Sequence, residues 1–191
     1  MNPVPTHPLR VVIFGPESTG KSTLTEHLAA RFAAPWSAEY VREFWDAHGG
    51  VVTAADLDAI ARGQRATEDA ARARAEADGA RVAFHDTDLL ACTIWDDLLF
   101  PGACPEWLRA EAAARARATD LYLFCDTDLP WAPDPQRCFP DEAGREMCRR
   151  LFLEKLEATG ARWTRIHGSD RAREARAGAA VDLLLNRCSS R

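Results

Sequence analysis

The sequence predicts an α/β fold, a doubly wound parallel sheet with helices on its faces, and two observations carry that prediction. The stretch Gly15 to Ser22 (GPESTGKS) follows the apolar run Leu9 to Phe14 (LRVVIF) and precedes a helical stretch, Thr23 to Phe32. It is a complete phosphate-binding loop in its strand-loop-helix setting. Beyond it, short continuous apolar runs alternate with helical stretches to the end of the chain. Continuous rather than alternating runs mark strands buried on both faces, as in a parallel sheet.

Four such runs read as strands: Leu9 to Phe14, Arg81 to His85, Leu121 to Cys125 and Trp163 to His167, with a weaker fifth near Pro35 to Glu39. Between them, Ala54 to Asp78 carries a helical pattern in Leu57, Ile60, Ala61 and Gln64 and stops at Gly79. Glu106 to Ala118, Glu142 to Ala158 (closed by Gly160) and Asp170 to Asn186 read as further helices. The one long irregular stretch is Asp126 to Asp141, rich in proline and aspartate. Connections of that length are usually functional, and its place after a strand suits a lid, about residues 127–141, over a nucleotide.

The chain of 191 residues fits one domain, spanning 1–191, with no room for a second catalytic unit. Its net charge of −5 argues against a nucleic-acid partner, because phosphate backbones call for a basic surface. Arginine outnumbers lysine and alanine is abundant, a compositional bias rather than a basic patch. The six cysteines, Cys92, Cys104, Cys125, Cys138, Cys148 and Cys188, are widely spaced and lack zinc-ligand spacing, so reduced thiols are expected. The N-terminus has no apolar segment of leader length and no later run approaches a membrane span, so a cytoplasmic location is expected.

The loop defines the first chemical cluster. Its backbone N–H groups and the positive end of the following helix can cradle a polyphosphate. Lys21 would reach the β- and γ-phosphates, and the Ser22 hydroxyl would ligate Mg²⁺. Gly15, Glu17, Ser18, Thr19, Gly20, Lys21, Ser22 and Thr23 are the candidate nucleotide-binding residues, Thr23 reading first as part of the first helical turn.

A second cluster, Asp86-Thr87-Asp88, ends the Arg81 to His85 strand. A carboxylate there lies beside the phosphates, where it can hold Mg²⁺ or accept the proton of an attacking hydroxyl. Asp86 is the first candidate; Asp88 can share the role or simply cap a helix beginning at Leu89. His85 reads as a strand residue. The third cluster, Ser37 to Glu43, offers Glu39 as acceptor, Tyr40 as aromatic face and Arg42 as cation at the carboxyl edge of the sheet, where ligands bind. The same spacing also describes an exposed helix start with a surface charge pattern.

Taken together, GPESTGKST at Gly15, AEYVRE at Ala38, IARGQ at Ile60, HDTDLL at His85, LYLFCDTDLPWAPDPQR at Leu121 and GSDRAR at Gly168 resemble the kinase domain of the NadR-type ribosylnicotinamide kinases. The resemblance runs from about Leu9 to about Leu185. It implies a five-stranded parallel sheet of the nucleoside-kinase type and ATP- and Mg²⁺-dependent phosphorylation of the 5′-hydroxyl of nicotinamide riboside, giving nicotinamide mononucleotide. On this resemblance Asp86 is the Mg²⁺ ligand or general base, and Asp88 binds the ribose hydroxyls or shares the base role. Arg137 becomes the lid arginine, with Arg145 a second candidate. Gly168, Ser169 and Arg173 would wrap the adenine, and Glu39, Tyr40, Arg42, Gln64, Asp88 and Trp131 would contact the acceptor.

The acceptor's cationic ring favours aromatic faces and a nearby carboxylate. Tyr40, Trp36, Trp95 and Trp131 are the available aromatics, and Trp95, at helical spacing from Cys92 and Leu99, is equally suited to the core. Bifunctional members of that family carry a nucleotidylyltransferase domain ahead of the kinase, and here the chain begins at the loop strand. Neither adenylyl transfer nor repression is therefore expected. A kinase of another nucleoside or small alcohol, and a P-loop NTPase switch, stay open as alternatives. The sequence does not choose between ATP and GTP or set the oligomeric state.

Overall fold

A computed structural model describes residues 7–189; the expectation of no leader at residues 1–6 falls outside them. Five parallel strands form one sheet: β1 (Leu9–Phe14), β2 (Trp36–Ser37), β3 (Val82–Asp86), β4 (Leu121–Cys125) and β5 (Trp163–Ile166), in the order β2-β3-β1-β4-β5. The helices are α1 (Lys21–Phe32), α2 (Tyr40–Ala47), α3 (Leu57–Ala77), α4 (Leu89–Leu99), α5 (Glu106–Arg117), α6 (Glu142–Ala158) and α7 (Asp170–Ser189). The five-stranded parallel sheet with flanking helices agrees with the expected fold class.

Successive side chains of β1 point to opposite faces, so its unbroken apolar run feeds two cores. Val11 and Ile13 pack with Leu24 and Leu28 of α1 and Ala177 and Val181 of α7. Val12 and Phe14 pack with Ile94 of α4, Tyr122 and Phe124 of β4, and Phe152 and Leu156 of α6. A fully buried side chain of this size contributes about 1.5–3 kcal/mol, so the central strand is held from both sides.

The differences from expectation lie at the element edges. The second strand shrinks to two residues, and α2 begins at Tyr40. Leu89–Leu99 is a helix, α4, which was not assigned from the pattern because its first turns are apolar on nearly every face. Residues Ala54–Asp56 form a 3₁₀ turn ahead of α3, with a reciprocal capping box between Thr53 and Asp56. The third strand extends one residue further than expected, to Asp86.

The sheet order places β1 between β3 and β4, so the loop after β1 opens where the chain leaves on both sides. Residues 126–141 carry no helix or strand and cross above that opening. Among the described residues no helix is long and apolar enough to cross a membrane.

Candidate functional site

Gly15 begins the loop with φ +142°, and a Cβ there would stand 2.5 Å from the Cys125 carbonyl oxygen, so only glycine lets β1 turn against β4. Gly20 caps α1 at φ 74°. Between them Ser18 takes the left-handed region at φ 55°, which points backbone N–H groups inward at the amino end of α1. The Lys21 ammonium donates to the Pro16 carbonyl at 2.8 Å, across the loop it would otherwise bridge to a phosphate.

One cavity of about 440 Å³ opens from this loop. Glu17 to Thr23 form one end. Glu39, Val41 and Arg42 at the start of α2, Leu57, Ile60 and Gln64 of α3, and Cys92, Trp95, Asp96 and Leu99 of α4 form the walls. Gln136, Arg137 and Cys138 of the long loop close over it.

Asp86, at the end of β3, is 2% exposed and takes a hydrogen bond from the Ser22 hydroxyl, while its Oδ1 has no partner. Burial, and then the neighbouring Glu39, push its carboxyl up to about 6 against the pull of Lys21. No cluster of three or more His, Cys, Asp or Glu able to hold a metal alone occurs among the described residues. Mg²⁺ needs no such cage, since it binds through one or two protein oxygens plus phosphates and water. The orphaned Asp86 Oδ1 beside the Ser22 hydroxyl fits such an ion.

Two residues on, the expectation for Asp88 is corrected. Thr87 sits at φ 67°, and this reversal sends Asp88 away from the cavity. Asp88 is 1% exposed and accepts from the N–H groups of Leu90 and Ala91, capping α4, while the Tyr122 hydroxyl donates to its other oxygen at 2.6 Å. A carboxylate so engaged has no oxygen to offer a ribose. The helix-cap alternative describes it.

The other candidates divide in the same way. Glu39, Arg42 and Gln64 line the cavity. Arg42 pairs with Glu39 at 3.3 Å and with Asp134 of the long loop at 3.0 Å, and Gln64 accepts from the Tyr40 backbone N–H and donates to the buried Glu68. The Tyr40 ring instead packs on Gly63, where a Cβ would come within 1.9 Å of it. Trp131 lies under the guanidinium groups of Arg137 (5.7 Å) and Arg145 (5.8 Å) and is not among the lining residues. Trp36 packs against the core, whereas Trp95 borders the cavity and contacts Phe139 and Phe152.

Arg137 lies at the loop, 3.4 Å from the Ser18 hydroxyl, with its Nε buried, without a hydrogen bond and 3.9 Å from the Asp134 carboxylate. Arg145 donates to the Thr127 and Leu129 carbonyls at 2.7 Å each, which makes it a strut for the base of the lid. Arg173 is corrected likewise: it is 3% exposed and donates to the carbonyls of Thr19, Asp126 and Gly168, with Asp128 on the same guanidinium. It ties α7 to the phosphate loop instead of presenting itself to adenine. Gly168 and Ser169 stand beside it, outside the cavity.

Among the lining residues not singled out in the sequence as site residues are Thr87, Cys92 and Asp96. Thr87 read only as a spacer between carboxylates, Cys92 as a marker of helical spacing, and Asp96 had no reading of its own. Cys92 and Asp96 are four residues apart, one helical turn, and that spacing was the available signal.

Comparison with known proteins agrees with this geometry. A family model described as an AAA domain matches residues 10–173. The trifunctional NAD biosynthesis/regulator protein NadR of Escherichia coli K12 is 29% identical over 168 residues, covering 84% of this chain and 38% of that protein; its Salmonella typhimurium counterpart is 27% identical over the same extent. The chain thus spans well under half the length of these relatives. A crystal structure of a NadR protein in complex with NR superposes with a TM-score of 0.70 at 20% identity, covering 94% of this chain and 52% of the other. Thymidylate kinase from Ehrlichia chaffeensis follows at a TM-score of 0.60 and 13% identity, covering 93% and 99%. At such identities these structures speak for the fold, a P-loop sheet shared with nucleoside and nucleotide kinases. With its phosphate-binding loop intact and the family match running from β1 into α7, the chain belongs to the AAA domain family and is similar across most of its length to part of NadR.

Proposed function

We propose that this domain is an ATP-dependent kinase that phosphorylates the 5′-hydroxyl of a nucleoside, with nicotinamide riboside as the acceptor. One observation carries the reading: a single cavity has a phosphate-binding loop at one end and a mixed apolar and polar chamber beyond, and the strand-end carboxylate of Asp86 is hydrogen-bonded to Ser22 of that loop. A switch that only hydrolyses nucleotide has no use for that chamber. The likeness to NadR, an NAD biosynthesis/regulator protein, supports the choice of acceptor. The acidic balance of the chain supports a small-molecule partner over a nucleic acid.

Phosphoryl transfer asks a protein mainly for alignment and charge neutralisation. Lys21 leaves the Pro16 carbonyl to take the phosphates, and Arg137, held by the lid against Ser18, lies where it can neutralise the transferred group. Asp86 and Ser22 would hold Mg²⁺, which when bound would supply charge neutralisation to the phosphates. The Thr87 hydroxyl, buried without a partner on the cavity wall, is placed to orient the acceptor alcohol. Residues 127–141 act as the lid that excludes water.

The test is an ATP-consumption assay over a nucleoside panel that includes nicotinamide riboside. Transfer to nicotinamide riboside is expected to lead the panel. Lys21→Ala, Asp86→Asn and Arg137→Ala are each expected to lower it by about 10³ or more with the circular dichroism spectrum unchanged. Near-normal transfer by Asp86→Asn removes that residue from the mechanism. Nucleotide turnover with no phosphorylated nucleoside overturns the kinase reading in favour of a switch.

A further inference from the structure

The five buried side-chain atoms without a partner among the described residues are Asp86 Oδ1, Thr87 Oγ1, Asp96 Oδ2, Arg137 Nε and Arg145 Nε. Thr87, Asp96 and Arg137 line the cavity, Arg145 braces the lid, and Asp86 and Arg137 are already assigned to the phosphate end. Asp96 is different. It lies seven residues into α4 from Leu89, about 10 Å along the helix axis, and so beyond the reacting end of the cavity.

Asp96 is 5% exposed, yet its only side-chain partner is the Cys104 thiol, a weak donor. The nearby cations are spoken for by its neighbour. Both terminal nitrogens of Arg109 bond Asp97, at 3.1 and 2.5 Å, and Lys155 lies 3.9 Å from Asp97. Burial chiefly, with Asp97 adding to it, raises the Asp96 carboxyl to about 6 against the opposing pull of the Cys104 thiol and Arg109, so the protein offsets its desolvation only in part. A buried carboxylate oxygen facing a cavity without a donor calls for one from the ligand. Around it, Trp95, Leu99 and Phe100 present flat and apolar surface.

We infer that Asp96 is the specificity-determining residue for the acceptor's ring, its free oxygen pairing with a cationic, N–H-bearing heteroaromatic ring that lies along Trp95 and Phe100. This deepens the proposed kinase reading and rests on it. A pyridinium carboxamide supplies both complements at once, delocalised positive charge over aromatic faces and an amide N–H donor for Oδ2. An uncharged ring of the same shape supplies only the second.

The experiment compares nicotinamide riboside with its reduced form, whose dihydropyridine ring is neutral and nearly isosteric, in wild type, Asp96→Asn and Asp96→Glu. For Asp96→Asn the ratio of kcat/KM for the cationic ring to that for the neutral ring is expected to fall roughly 10- to 100-fold, the span of a charged hydrogen bond. The loss should sit in the KM for the nucleoside and leave the KM for ATP in place. Asp96→Glu keeps the charge and should recover part of the ratio, which separates ring recognition from helix packing. An unchanged ratio in Asp96→Asn, or an equal loss for both nucleosides, overturns the assignment while leaving the kinase reading intact. A wild type that phosphorylates other nucleosides but ignores nicotinamide riboside overturns the choice of acceptor, and this inference with it.

Discussion

Asp86 and Asp88 are two residues apart, equally buried and of the same chemistry, yet the turn at Thr87 gives them opposite work. Asp86 keeps one oxygen without a protein partner; Asp88 gives one to the first turn of α4 and the other to Tyr122. Substitution should therefore separate them cleanly. Asp88→Ala removes a helix cap and strands a buried phenol hydroxyl, a loss of about 2 kcal/mol or more, visible as a lowered urea midpoint. Its kcat should change far less than that of Asp86→Asn, which is expected to lose activity without losing stability. A stable Asp88→Ala enzyme without activity would return Asp88 to the reaction. The sequence showed the carboxylate pair but not this division, because the left-handed backbone at Thr87 has no signature in a residue type that seldom adopts it.

At the scale of elements, the strands were legible because a parallel sheet buried on both faces leaves unbroken apolar runs, and β1 and β4 have the expected bounds. Helices α3 and α6 were legible from their period and glycine stops. What escaped was the extent of α4, whose LLACTIW start offers no polar face for a period to show, and the length of β2, which was expected near Pro35 to Glu39 and is only the two residues that pair with β3. The lid was legible as an irregular stretch, while its attachment was not. The Glu17 carboxylate accepts from the Cys138 and Phe139 backbone N–H groups, and Ser18 accepts from Ala132 N–H. The phosphate loop thus holds the lid through side chains that its motif leaves free. Glu17→Ala should release those two amides, so hydrogen exchange across residues 132–139 is expected to quicken while amides of β1 and β4 keep their protection. Unchanged exchange there would mean that the Ser18, Arg145 and Arg42–Asp134 contacts hold the lid without Glu17.

The whole molecule ties this site to its stability through α7. Arg173 reaches from that helix to the Thr19 carbonyl in the phosphate loop, to Asp126 at the end of β4 and to Gly168 after β5, so the loop is braced by the part of the sheet opposite β3. A phosphate-binding loop braced in this way is largely formed before its ligand arrives, and little binding energy is spent ordering it. The free energy of nucleotide binding should then appear almost fully as folded-state stability. At ATP and Mg²⁺ concentrations near 100 times the dissociation constant that is about 2.7 kcal/mol, or a rise in Tm of roughly 5–10 °C for a domain of this size. Lys21→Ala should abolish most of the rise while leaving the ligand-free Tm close to that of wild type, because the hydrogen bond of the Lys21 ammonium is to the Pro16 carbonyl of its own loop. Arg173→Ala should do the reverse, lowering the ligand-free Tm and leaving a smaller rise, since the nucleotide must then also order the loop. Equal shifts in wild type and Arg173→Ala would show that the brace plays no part in preparing the site.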